Sequence, residues 1–208
     1  MSVPWALFIL PPMVSGLGKI EVPPDLIRRL QREEPEAFDE FFELLGPRIL
    51  KFGMRMCGER EDARDVQQET FLKAIESVKE LRRPEAVRSW LFRIAANACL
   101  MKRRRSKFLK EEVAFEDALP EPAEMHRGAL WAALPDRMLE DAELRKRIRQ
   151  AVLDLPPIYR SVLVMRDMEG MDAEDVASAL GVSRDVVKMR LHRARTKVRE
   201  SLSEVLKK

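Results

Sequence analysis

At 208 residues the chain is long enough for one large helical domain or two small ones, and its length alone does not decide between them. Its 38 Lys and Arg nearly cancel its 35 Asp and Glu, which excludes a uniformly polycationic or polyanionic protein and leaves the placement of charge as the informative quantity. Two runs are almost free of acids: Lys102, Arg103, Arg104, Arg105, Lys107 and Lys110, and later Arg184, Lys188, Arg190, Arg193, Arg195, Lys197 and Arg199. Between them lie Glu111, Glu112, Glu116, Asp117, Glu121 and Glu124. Two basic surfaces joined by an acidic connector suggest two contacts with a polyanion.

The uncharged opening, Met1 to Gly18, lacks the basic start of a secretory signal and is broken by Pro4, Pro11 and Pro12. It is also shorter than the roughly 20 apolar residues a membrane-spanning helix needs, so residues 1–22 read as an extension with no membrane insertion. Beyond Pro23 and Pro24 the apolar residues recur at helical spacing, and no stretch alternates as a strand does, so the expected fold class is all-α. A short amphipathic stretch (Leu26, Ile27, Leu30) precedes a longer one whose inward stripe reads Phe38, Phe41, Phe42, Leu45, Ile49, Phe52 and Met56, with Gly46 and Pro47 expected to kink or split it. A third helix begins near Glu61, buries Ala63, Val66, Thr70, Ala74 and Val78, and opens on acids that suit its dipole. A fourth carries Val87, Trp90, Leu91, Ile94, Ala95, Ala98 and Met101 inward and ends in the first basic run. These helices are expected to share one core over residues 23–110.

From about Glu111 to Glu140 acids, alanines and Pro120, Pro122 and Pro135 mark an exposed linker, assigned to 111–140. Within it Leu130, Trp131, Leu134 and Met138 form a short apolar face suited to docking on a neighbouring domain. A second domain over 141–208 resumes with Ile148, Val152 and Leu155, breaks at Pro156 and Pro157, and restarts through Ile158, Val162, Leu163 and Met165. Three short helices are expected beyond. Asp172 can cap one containing Val176, Ala177 and Leu180, Gly181 supplies a turn, and Ser183 can cap a final helix with Val187, Leu191, Ala194 and Val198 inward.

Asp172 to Arg195 thus has the layout of a helix-turn-helix whose last helix presents donors. Residues near that helix's start are placed to reach base edges, which selects Arg184, Asp185, Lys188, Met189 and His192; Arg190, Arg193 and Arg195 are placed for the phosphate backbone. Catalysis is not expected. There is no glycine-rich phosphate loop, no paired histidines and no nucleophile beside a base, and nothing calls for a cofactor. Cys57, Cys99, His126 and His192 are too scattered for a tetrahedral metal site, and both cysteines read as buried thiols in a reducing cytoplasm.

The stretch LPPIYRSVLVMRDMEGMDAEDVASALGVSRDVVKMRLHRARTKVRESL closely resembles the promoter-binding fourth domain of extracytoplasmic-function sigma factors. EDARDVQQETFLKAI, followed by RSWLFRIAANACLMKRRR, resembles their second domain. Together the matches cover most of residues 25–205. The resemblance implies that Asp65, Gln68 and Glu69, with Asp62 close by, dock on the clamp coiled coil of core RNA polymerase. It further implies that the loop from Leu81 to Trp90 captures an unstacked base of the minus-ten element, and that the helix from Arg88 to Arg105 melts and reads that element. Arg82, Arg83, Arg88, Arg93, Asn97, Lys102, Arg103 and Arg104 would supply cations and an amide, and Trp90 and Phe92 are the aromatics at hand, with Trp90 on the inward stripe. Leu81 and Val87 stand where the family often has aromatics, and Met189 where it usually has a small polar residue.

The implied function is an alternative sigma factor that takes core polymerase to promoter DNA and is held in check by an anti-sigma protein. The implied linker threads toward the polymerase active centre, its acids mimicking nascent RNA. The competing reading is a free-standing dimeric regulator that binds a twofold-symmetric operator through the helix-turn-helix.

Overall fold

Pro24 and Pro35 each open a helix, because a proline in the first turn forfeits only an N–H that has no intrahelical partner. In a computed structural model, which describes residues 22–105 and 142–206 (side chains over 22–102 and 143–202), they begin α1 (Pro24–Gln31) and α2 (Pro35–Cys57). Then come α3 (Arg60–Ser77), two 3-10 turns (Val78–Glu80 and Pro84–Ala86) and α4 (Val87–Arg105). The later segment holds α5 (Ala142–Leu153), α6 (Pro157–Leu163), a π-type turn (Val164–Met168), α7 (Ala173–Leu180) and α8 (Arg184–Leu206). Among the described residues there is no strand, as an all-α reading requires. The extension 1–21 and the acidic segment, with its Leu130, Trp131, Leu134 and Met138, lie outside the described residues.

Two expectations for α2 need correction. The helix is not split at Gly46 and Pro47: the Gln67 amide donates to the Gly46 carbonyl at 2.7 Å and braces that turn from α3. Phe42 does not join the inward stripe and is 48% exposed. The 3.6-residue face is already filled by Phe41, Leu45, Ile49, Phe52 and Met56, so Phe42 falls beside it, against Phe71 at 4.9 Å between ring centroids. At Gly53 a side chain would meet Ala63 backbone and Cβ at 3.0–3.1 Å, so the missing Cβ is what lets α2 and α3 approach.

α4 is also rotated from expectation. Val87, Leu91, Ala95 and Ala98 are buried as expected, but the buried arc extends toward Phe92, Ala96 and Cys99. Trp90 and Ile94 therefore sit half-buried at its margin, and Met101 is 49% exposed. The pull comes from Phe92, 2% exposed, which packs edge-on against Phe52 at 5.2 Å. Cys99 is buried and Cys57 half-buried, their sulfurs 3.9 Å apart.

In the later segment the proposed caps are present. The Asp172 carboxylate accepts from the Asp175 N–H at 2.8 Å, Gly181 ends α7 with φ +65°, and Ser183 Oγ accepts from the Val186 N–H at 3.3 Å. Beyond Met165, however, there are two helices rather than three short ones, and α8 runs for 23 residues. Its Val187, Leu191, Ala194 and Val198 supply a continuous buried stripe that keeps it in register with α5 and α6.

The two helical groups pack on each other: α5 and α6 lie against α2, and α7 lies against α4. The buried Arg160 fixes this joint, donating to the Met56 carbonyl at the end of α2 (2.6 Å) and to the Leu153 and Leu155 carbonyls of its own group. Arg149 adds a bond to the Gly58 carbonyl at 2.6 Å. Gly58 has φ +88°, a conformation strained for any residue with a side chain, and a Cβ there would meet the Leu153 side chain at 3.2 Å, so that side chain would also have to shift.

Candidate nucleic-acid and polymerase interface

Three polar surfaces correspond to the sequence expectations. On α3, Ala63, Val66, Thr70 and Ala74 are buried against α2 and α4, which turns Asp62, Asp65, Gln68 and Glu69 outward along the opposite face. Glu69 pairs with Lys73 one turn on at 2.5 Å. Asp62 and Asp65 both hold Lys102 of α4, at 2.6 and 2.7 Å. These bonds, Asp62 first, raise the Lys102 pKa above that of an ordinary lysine, so it is a cation throughout the useful pH range. A side chain expected on DNA is thus clasped by two side chains expected on the polymerase.

The loop between α3 and α4 is built from inside. Leu81 and Val87 are buried, and Gln31 of α1 donates to the Val78 carbonyl at 3.2 Å and the Leu81 carbonyl at 2.9 Å. Arg82 and Arg83 project into solvent, with Arg83 bonded to Glu85 at 2.9 Å. Arg93 and Asn97 lie exposed on one face of α4, and the side chains of Arg103 and Arg104 are outside the described residues. Phe92 cannot serve as a base-stacking platform where it stands, because its ring is committed to Phe52 in the core. Trp90, half-buried at the margin of the same helix, is the aromatic that keeps an accessible edge. Arg88 points away from the loop and donates to the Glu169 carbonyl of the other helical group.

On α8 the buried stripe leaves Arg184, Asp185 and Lys188 exposed at the start and Met189, Arg190, His192 and Arg193 half-buried behind them. The exposed charges are only loosely engaged: Arg184 is 3.6 Å from Glu174, and Lys188 is 3.2 Å from Asp185. Arg195 differs. Its guanidinium makes a two-point bond to Asp167, at 2.6 and 2.8 Å, that ties α8 to the π-type turn.

The sequence reading missed a cationic stripe on α2. Arg48, Lys51 and Arg55 recur at helical spacing and, with Arg88, converge on Glu169, whose Oε1 lies 2.6 Å from Arg55 and whose Oε2 lies 3.9 Å from Arg48. The Arg55 and Glu169 side chains are 2% and 3% exposed. Burial raises the Glu169 pKa, opposed by Arg55 and the other cations, and burial lowers that of Arg55. Only the i, i+3, i+7 recurrence of the three basic residues marked this face in advance.

Among the described residues no His, Cys, Asp and Glu cluster is arranged to hold a metal ion, and no helix is long and apolar enough to cross a membrane. Residues 41–108 match the family described as Sigma-70 region 2, and residues 145–198 match Sigma-70, region 4. The chain is 31% identical over 168 residues to the ECF RNA polymerase sigma factor SigE of Mycolicibacterium smegmatis, covering 81% of this chain and 62% of that relative. It is 32% identical over 162 residues to the ECF RNA polymerase sigma factor SigM of Mycobacterium tuberculosis, covering 78% of this chain and 75% of that relative. In fold it is similar to the sigma factor RpoE of Bartonella quintana, solved in complex with the anti-sigma factor NepR, with a TM-score of 0.58 and 21% identity over 81% of this chain and 98% of that one. With region 2 on the helices that carry the acidic and loop surfaces, and region 4 on the helix-turn-helix, the chain belongs to the ECF RNA polymerase sigma factors.

Proposed function

We propose that the chain binds core RNA polymerase and directs it to promoters, with its two helical groups engaging separate promoter elements. The observation that carries this is the co-occurrence of two surfaces on region 2, acidic on α3 and cationic on the loop and α4, with a donor-bearing helix-turn-helix in region 4.

Asp62, Asp65, Gln68 and Glu69 would meet an arginine-rich face of the polymerase by charge-assisted hydrogen bonds. Arg82, Arg83, Arg88, Arg93, Asn97, Lys102, Arg103 and Arg104 would hold the minus-ten strand, with Trp90 the aromatic able to stack. On α8, Arg184, Asp185, Lys188, Met189 and His192 would read the minus-thirty-five bases. Arg190 and Arg193 would meet phosphates, and Arg195 would do so while also bracing α8 through Asp167.

Two elements about 25 base pairs apart lie on the order of 80 Å apart at roughly 3.4 Å per pair. Helical groups of this size are only about 30 Å across, so groups in contact cannot reach both elements at once. The packing of α7 on α4 must therefore open during promoter binding. An anti-sigma partner, by analogy with the RpoE–NepR complex, would act on these same surfaces, and the chain would work in the cytoplasm where polymerase is.

The test is transcription in vitro with core polymerase on a library of genomic fragments. Discrete transcripts that need both core and this chain are expected. Specific, twofold-symmetric duplex binding by the chain alone, with no core association, would instead support a free-standing regulator.

A further inference from the structure

The joint between the two helical groups gathers more positive charge than it neutralises. Among the described residues, Arg48, Lys51 and Arg55 of α2 and Arg88 of α4 surround the buried carboxylate of Glu169, with Asp175 the other acid acting on Arg88, so three guanidinium groups and one ammonium face two carboxylates. Burying an ion pair costs several kcal/mol in desolvation per ion, so such a cluster is poor evidence of a device for stability. Burial pushes the Glu169 pKa up and that of Arg55 down, the direction in which desolvation moves each charged group. Donors are also left over: Arg48 Nη1 and Arg88 Nε are buried without a hydrogen bond to any described residue. A face with spare donors and surplus positive charge, shared by α4 and the α2 helix packed against it, matches a run of phosphates better than it matches the buried carboxylate of Glu169. Glu169 lies in the turn just before the helix-turn-helix, between the π-type turn and Gly170 with φ +65°, so it travels with the region 4 group when the joint opens.

We infer that Glu169 is an internal decoy for nucleic-acid phosphate: in the closed chain it occupies the cationic face of Arg48, Lys51, Arg55 and Arg88, and on opening that face passes to the DNA backbone. This rests on the proposed promoter function and adds Arg48, Lys51 and Arg55 to the DNA-contacting set. Closure and DNA binding then compete for the same cations, so the free chain withholds from DNA the surface it needs.

Small-angle scattering and salt titrations of duplex binding, on the full chain and its Glu169→Gln variant, test this. The variant is expected to have a radius of gyration larger by about 3 Å or more. It should bind a 30-base-pair duplex, a test length of about three helical turns, about fivefold or more tightly at low salt. The slope of log affinity against log salt should steepen by roughly two to three, as each phosphate contact contributes about 0.9. Adding Arg48→Gln and Arg88→Gln to that variant should return the slope toward that of the parent chain. An unchanged radius and slope would overturn the inference, and so would an opened chain whose slope does not change. If Glu169→Gln fails to fold, hydrogen exchange on the unmodified chain with excess duplex decides. Residues 166–171 should exchange faster while 87–92 stay protected, and equal protection of 166–171 with and without DNA would sink the idea. Core-dependent transcription by the parent chain, run in parallel, reads the promoter function separately: its absence would defeat that function, whereas the radius and slope report on the decoy.

Discussion

The two helices expected on DNA, α4 and α8, reach their surfaces in opposite ways. α8 presents Arg184, Asp185 and Lys188 outward on a capped start, with only weak ionic neighbours. α4 is buried along much of its length, its Lys102 is held by Asp62 and Asp65, and its Arg88 is bonded across the joint to the Glu169 carbonyl. A base-reading helix of the first kind is ready in the free chain. One of the second kind becomes available only when other groups take over its partners, and those groups would be the polymerase for the α3 acids and a second anion for the joint. On the proposed function, core binding and DNA binding would then be coupled through shared side chains.

The sharpest way to break this contrast is at Phe92. If α4 is a core helix first, Phe92→Ala should cost about 3–5 kcal/mol in urea unfolding, because an edge-on aromatic partner of Phe52 is lost with its cavity. A loss near zero with defective promoter melting would mean that the ring works on DNA instead. Next in size is Asp65→Arg, which should weaken core polymerase binding by about tenfold to a hundredfold, as a charge-assisted contact worth roughly 1.5–3 kcal/mol is replaced by repulsion. Unchanged affinity in a direct binding assay would remove α3 from the interface.

Lys188→Ala should lower promoter affinity by about tenfold and relax base preference at one minus-thirty-five position, with thermal stability unchanged because the side chain is exposed. A uniform loss across all sequences would move Lys188 to the backbone-contact class. The smallest effect is expected for Lys102→Ala. Its ion pairs are largely exposed and worth about 0–1 kcal/mol, so stability should hardly move. Core affinity should hold or rise slightly, and the salt slope of DNA binding to the holoenzyme should fall by about one. A drop in core affinity would contradict the clasp.

Much of this was legible in the sequence. The helical periodicities, the Asp172 and Ser183 caps and the Gly181 turn are local signals, and local rules fix them. Placing Asp62, Asp65, Gln68 and Glu69 outward followed from the buried stripe of α3, with its Ala63, Val66, Thr70 and Ala74. The errors have a common cause. Phe42, Phe92 and Met101 were misplaced because a periodicity sets the width of a face but not its rotation, which was settled by the Phe52–Phe92 contact and by α7 packing on α4. The α2 stripe was passed over because Arg48, Lys51 and Arg55 look like ordinary solvated charges until Glu169, more than a hundred residues away, is brought among them.

Both helical groups are proposed to grip one promoter at a fixed distance, and the spacer between the two elements tests that most directly. In core-dependent transcription from a promoter found in the fragment library, inserting five base pairs turns one element by about half a helical turn, since a turn takes about 10 to 10.5 pairs. Transcripts should fall by about tenfold or more and should not return when ten pairs are inserted. Undiminished transcription from either promoter would contradict simultaneous engagement of the two elements.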